Sequence, residues 1–186
     1  MSTKVEATID DLYKVEGKAE LVNGEIILMS PTGLLPNIAA GRIFTSLSTY
    51  SARQKRGHAF TDNAAFVVDL PNRKSFSPDV SFYIGDVTMK FGQGAPIFAV
   101  EVRSEGDYGA RAERQMSAKR ADYFAAGTLV VWDVDILSED VVRVYRASEP
   151  ETPVIYRRGQ IAEAEPAVPG WTMPVDDLFP EDYEAN

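Results

Sequence analysis

The chain has 186 residues, 45% of them hydrophobic and 25% charged, with a formal net charge of -9 at pH 7. That is enough chain for one medium domain with its own core, and no stretch approaches the roughly 18 unbroken apolar residues of a membrane span. The acidic balance argues against binding nucleic acid through a broad basic surface. With no cysteine and one histidine, His58, a disulfide framework and a cysteine–histidine zinc centre are excluded and a histidine-dependent triad is hard to build. Any metal would have to be held by oxygen. The N-terminal MSTKVEATIDDLYKVEG lacks the apolar core of a secretory signal, so the expected address is cytoplasmic.

In chain order, AELVNGEIILMSP places two short apolar runs around Asn23-Gly24, a pair suited to a tight hairpin turn. From Leu35 to Arg56, apolar residues recur at three- and four-residue steps and stop at Gly57, which predicts an amphipathic helix. Strand-like runs follow at 64–70, 78–84, 97–103, 128–135 and 141–147, with a second helix over 109–126 closed by Gly127. The expectation is a single domain, residues 1–186, with a mixed α/β or α+β core over about 8–160. Its Pro- and acid-rich end, 163–186, reads as a partly ordered extension around Trp171, Leu178 and Phe179. The run at 141–147 would leave an open sheet edge, which predicts a homodimer. Basic residues cluster locally, as Arg53, Lys55 and Arg56, as Arg73 and Lys74, as Arg111, Arg114, Lys119 and Arg120, and as Arg157 and Arg158. His58 reads as a favourable charge at a helix C-terminus, and Trp132 and Tyr145 as core or interface aromatics.

The chemistry centres on IFAVEVR, residues 97–103. Strand alternation puts Ile97, Ala99, Glu101 and Arg103 on one face and Phe98, Val100 and Val102 on the other, so both faces around Glu101 are apolar. A bare carboxylate there costs several kcal/mol, roughly, unless a cation or metal compensates it. In the following helix Tyr108, Ala112, Met116, Lys119, Tyr123 and Ala126 form one stripe, which aims Lys119 at the sheet. A buried structural Glu101–Lys119 pair is one reading. Asp79, at the start of PDVSFYI, supports another: if its strand lies beside that of Glu101, the two carboxylates converge and call for Mg²⁺ or Mn²⁺. With Lys119 beside them the set suits hydrolysis of a phosphodiester by an activated water.

The succession ELVNGEIILMSP, SPDVSF, FAVEVRSEGD, KRADYFAAG and VVWDVD resembles the Uma2 family, once called DUF820, of restriction-endonuclease-like proteins in the PD-(D/E)xK nuclease superfamily. The likeness runs from about Leu12 to Tyr145. It implies a restriction-endonuclease-like core, a mixed β-sheet flanked by helices, preceded by an N-terminal hairpin and helix. It also implies a divalent-metal site in an endonuclease acting on DNA. By position, Asp79 matches the Asp of the PD motif and Glu101 the first acid of the (D/E)xK element, the metal pair. Lys119 matches the helical lysine that replaces the usual motif lysine, and Glu20 a recurrent acid of the hairpin, a further catalytic or ligand position. Asp107 and Tyr123 match supporting positions. Three departures stand out: Arg103 at the motif-lysine position, which cannot easily shuttle a proton; Asn37 where relatives carry a histidine; and Glu105-Gly106 inside a segment that usually reads Ser-Pro-Ser-Asp. Arg103 is also read as a salt-bridge partner of Glu20 or Asp79. The alternative function is a catalytically inactive nuclease-fold protein that self-associates or binds a partner.

Overall fold

The computed structural model describes residues 5–181 and 183; the first four residues, residue 182 and the end of the predicted extension, 184–186, lie outside them. A one-turn helix, α1 (Ile9–Leu12), opens the chain, with Thr8 and Asp11 forming a reciprocal capping box. The hairpin β1 (Ala19–Val22) and β2 (Glu25–Leu28) pairs antiparallel with Val22 opposite Glu25. Its turn takes positive φ at both Asn23 (51°) and Gly24 (70°), the conformation that the Asn-Gly pair tolerates best.

The long helix α2 (Leu34–Gln54) follows, buries Ala39, Ile43 and Leu47, and stops at Lys55 in the left-handed conformation. Seven strands and one helix come next: β3 (His58–Phe60), β4 (Phe66–Val67), β5 (Ser75–Phe76), β6 (Val80–Tyr83), β7 (Gly92–Gln93), β8 (Phe98–Val102), α3 (Ala110–Ala125) and β9 (Val130–Val134). The chain then runs through β10 (Val142–Arg146), β11 (Glu149–Tyr156), β12 (Ile161–Glu163) and β13 (Thr172–Pro174) into a 3₁₀ turn at Val175–Leu178.

The main sheet is six-stranded in the order β11-β10-β9-β8-β6-β3. It is mixed: β8 and β9 run parallel, and the other neighbours are antiparallel. Strand β8 lies inside it, and its two faces separate as the alternation predicts. Phe98, Val100 and Val102 join α2 in the larger core, while Ala99 packs with Val131 and Tyr123 of α3 in a second one. The fold is the mixed sheet with flanking helices expected from the sequence. No helix among the described residues is long and apolar enough to cross a membrane.

Two features differ from the sequence reading. Where an extension was expected, the structure has core: Ala164, Ala167, Val168, Trp171, Met173, Val175, Leu178 and Phe179 are all buried in the main cluster. The 141–147 run is no edge, because β10 is flanked by β9 and β11. The true edge there, β11, carries Glu149, Pro150, Glu151 and Pro153, residues that discourage strand addition, so the homodimer expectation loses that argument. His58, three residues past the α2 C-cap Lys55, starts β3 opposite Tyr83.

Candidate active site

Antiparallel pairing of β6 with β8 sets Val80 opposite Val100, and the backbone of Asp79 continues that register by donating its N–H to the Val100 carbonyl at 3.1 Å. Asp79 therefore arrives beside Glu101. Its Oδ2 accepts the Val102 N–H at 2.7 Å, and its Oδ1 pairs with the Lys18 ammonium at 2.6 Å. The two carboxylates are each 23% exposed, reachable from solvent yet held by protein donors.

Lys119 reaches back from α3 to the sheet, its Nζ lying 2.8 Å from Glu101 Oε1 and 2.9 Å from Glu20 Oε1. Tyr123, one turn on, donates its hydroxyl to the same Glu101 oxygen at 2.6 Å, with its ring stacked on Phe76 at 4.0 Å between centroids. Glu20 is enclosed: the Ser77 N–H (2.8 Å) shares its Oε1 with Lys119, and Arg73 holds its Oε2 at 2.5 Å. Arg73 is steadied in turn by Asp122 at 2.8 Å. Both Glu20 oxygens are thus committed, which makes it the anchor of Lys119 rather than an open ligand.

Charge regulation follows from these contacts. Burial pushes the Glu101 carboxyl above its usual range; Lys119 and Lys18 oppose this, while Asp79 and Glu20 add to it and the balance stays upward. Burial also acts against ionised Glu20, but Lys119 and Arg73 outweigh it and hold this carboxyl below its usual range. For Lys119, burial is overcome by Glu101 and Glu20, which lift the ammonium well above its ordinary value. Burial likewise works against the Lys18 cation and is outweighed by Asp79 and Glu101. The Tyr123 phenol, raised by burial and by Glu101, stays neutral and donates.

Asp79 and Glu101 present hard oxygen donors, and no group of three acids or histidines closes a metal cage among the described residues. Such a pair fits Mg²⁺ or Mn²⁺, since Mg²⁺ keeps several waters and needs only one or two carboxylates. The Lys18 ammonium, bridging Asp79 Oδ1 and Asp62 Oδ1 at 2.6 Å each, already stands as a cation against this set.

A family model described as "Uma2: Putative restriction endonuclease" matches residues 8–176. The chain belongs to the Uma2 family. Among solved structures, "a putative nuclease belonging to DUF820 from Anabaena variabilis" is similar at a TM-score of 0.73, covering 93% of this chain and 97% of that one at 18% identity. That likeness establishes a shared fold. No curated protein matches.

Within this Uma2 fold the residues singled out by sequence separate into two groups. Asp79, Glu101, Lys119, Glu20 and Tyr123 come together. Arg103 does not join them: its guanidinium forks onto Asp133 with two 2.8 Å bonds and also pairs with Glu113, not with Glu20 or Asp79. Asp107 serves its own turn, accepting from the Ser104 N–H and hydroxyl at 2.7 and 2.9 Å. Asn37 sits in the first turn of α2 and Glu105-Gly106 in the exposed turn after β8. Lys18, Asp62, Arg73 and Ser77 were missed. Lys18 carried a readable signal, lying two residues before Glu20 at the strand period; the other three come from loops and short connections whose sequence has no periodicity. A groove of about 680 Å³ beside α2, lined by Arg42, Tyr50, Arg53, Trp171 and Asp177 among others, contains none of these carboxylates.

Proposed function

We propose that this Uma2 chain is a divalent-metal-dependent endonuclease that hydrolyses DNA phosphodiester bonds. One observation carries the reading: two part-exposed carboxylates, Asp79 and Glu101, are set side by side by the β6–β8 register, with a lysine fixed 2.8 Å from one of them. Asp79 and Glu101 would hold Mg²⁺ or Mn²⁺. Such an ion supplies Lewis-acid stabilisation of charge on the phosphate and lowers the pKa of water.

The chain's own residues divide the remaining work. Lys119 is held charged, so it acts as a donor and not as a base. An ammonium has three N–H bonds, and two are directed at Glu20 and Glu101, leaving one to position the attacking water or meet a phosphate oxygen. Glu20 and Arg73 fix the lysine from behind, and Tyr123 fixes the Glu101 oxygen. The test is cleavage of duplex, single-stranded and branched DNA with Mg²⁺ or Mn²⁺, beside an Asp79→Ala control. Metal-dependent cleavage lost in the control is the expected result; equal activity in the control rejects the assignment.

A second reading, a catalytically inactive nuclease fold that self-associates or binds a partner, draws support from one observation. Lys18 and Lys119 already neutralise much of the charge at the two carboxylates. Absence of Mn²⁺ binding at millimolar concentration by the folded protein would favour it.

A further inference from the structure

We propose that Lys18 is a built-in competitor for the cation at Asp79, and that Asp62 is the partner that retains the lysine when the cation binds. The inference deepens the metal-dependent reading and rests on it. Its basis is a shared oxygen: Asp79 Oδ2 accepts the Val102 N–H, which leaves Oδ1 as the oxygen with no backbone partner, and Lys18 occupies it at 2.6 Å. A cation joining Asp79 to Glu101 through Oδ1 competes with the ammonium for that oxygen.

The geometry also provides the place to which Lys18 withdraws. Its Nζ lies 2.6 Å from Asp62 Oδ1 as well, and Asp62 is 48% exposed while Lys18 is 14% exposed. Losing Asp79 therefore leaves the lysine paired at the mouth of the site, not stranded in the interior, where an uncompensated charge would be costly. Asp62 lies in the loop after β3, Lys18 just before β1 and Asp79 just before β6, so three separate segments meet at one ammonium. Lys119 cannot play this part, since it is clamped between Glu101 and the enclosed Glu20.

The test is a double-mutant cycle read by Mn²⁺ affinity, using calorimetry on wild type, Lys18→Gln, Asp62→Asn and the double variant. Thermal melts in chelator check that each folds. Removing the competitor should tighten Mn²⁺ binding about tenfold or more, as expected for a unit charge in contact distance at a partly buried site. Asp62→Asn should weaken binding, because Lys18 then has Asp79 alone. That second effect should vanish in the Lys18→Gln background. If Asp62→Asn weakens binding equally in both backgrounds, Asp62 acts through its field alone and the retention role is overturned. If Lys18→Gln leaves the affinity unchanged or lowers it while wild type binds, the competitor role fails and the metal-dependent reading stands. If neither wild type nor Lys18→Gln binds Mn²⁺, both fail.

Discussion

Two ionic clusters lie two residues apart on the same face of β8, one built on Glu101 and the other on Arg103, and they have opposite characters. The Glu101 cluster links five carboxylates (Asp62, Asp79, Glu101, Glu20 and Asp122) to three cations (Lys18, Lys119 and Arg73), an excess of two negative charges among the described residues. The Arg103 cluster sets Asp133, Asp135 and Glu113 against Arg103, Arg120 and Arg143, with no excess. In the first, the key carboxylates are partly open and their cations are shared. In the second, Arg103 is 5% and Asp133 2% exposed, the contact is a planar fork, Tyr108 donates to Asp135 at 2.9 Å, and Arg120 lies over the Tyr145 ring at 4.0 Å. Balanced charge around a buried, well-formed fork is what a structural cluster needs. A net negative cluster whose part-open carboxylates share their cations is what the proposed divalent cation would require.

That contrast is broken most directly by exchanging the type of damage. Glu101→Gln should lower DNA cleavage by about a thousandfold, the scale on which electrostatic groups at a reacting centre act, while thermal stability holds or rises because a carboxyl raised by burial is replaced by a neutral amide. Arg103→Met should do the reverse. It leaves buried Asp133 without its main cation, a loss of about 3–5 kcal/mol in denaturant unfolding, with Mn²⁺ affinity retained in whatever fraction remains folded. A variant of Arg103 that loses metal affinity at full stability would merge the two clusters and sink the distinction.

Smaller changes sharpen it. Tyr123→Phe removes one donor from Glu101 Oε1 and keeps the ring on Phe76. The lost hydrogen bond to a carboxylate is worth about 1.5–3 kcal/mol at most, and Lys119 still holds the same oxygen, so cleavage should fall by about tenfold. An unchanged rate would make the hydroxyl a packing group and nothing more.

The distinction was only half legible in the sequence. Asp79, Glu101 and Lys119 could be placed because strand and helix periods assign faces, and the motif order gave the neighbours. Arg103 has the same face as Glu101 and was assigned wrong partners, because Asp133 comes to it through a parallel β8–β9 pairing with α3 between the strands in the chain. Which strand lies beside β8 is a tertiary fact, and once it is known the pairing of Glu101 with Asp133 in register puts Arg103 one step from both Asp133 and Asp135. The C-terminal segment failed for a related reason. Pro and acidic residues between Glu163 and Glu181 gave the composition of an extension, yet its buried residues fall at irregular spacing because connecting loop, a three-residue strand and a 3₁₀ turn deliver them to the core in succession. Strands of two or three residues, such as β4, β5 and β7, are too short for a period to exist.

The smallest expected effect is a pH dependence confined to the Arg103 cluster. Glu113 is held below the usual carboxylate range, chiefly by its hydrogen bond from Arg103; burial opposes this as the next influence, and the charges of Arg103, Arg143 of β10 and Arg120 of α3 add to the pull. A depressed folded-state value means that its contribution is present above the ordinary value of 4.5 and is lost as pH falls through the lower folded one. Glu113 is 51% exposed, so solvent screening keeps the contribution below about 1 kcal/mol. Wild type should therefore exceed Glu113→Gln in unfolding free energy at pH 7, and the gap should close as acid protonates Glu113 in the folded protein, below its ordinary value. A gap that does not narrow on acidification would mean that the side chain acts through packing, and the Arg103 cluster would then owe its stability to Asp133 and Asp135 alone.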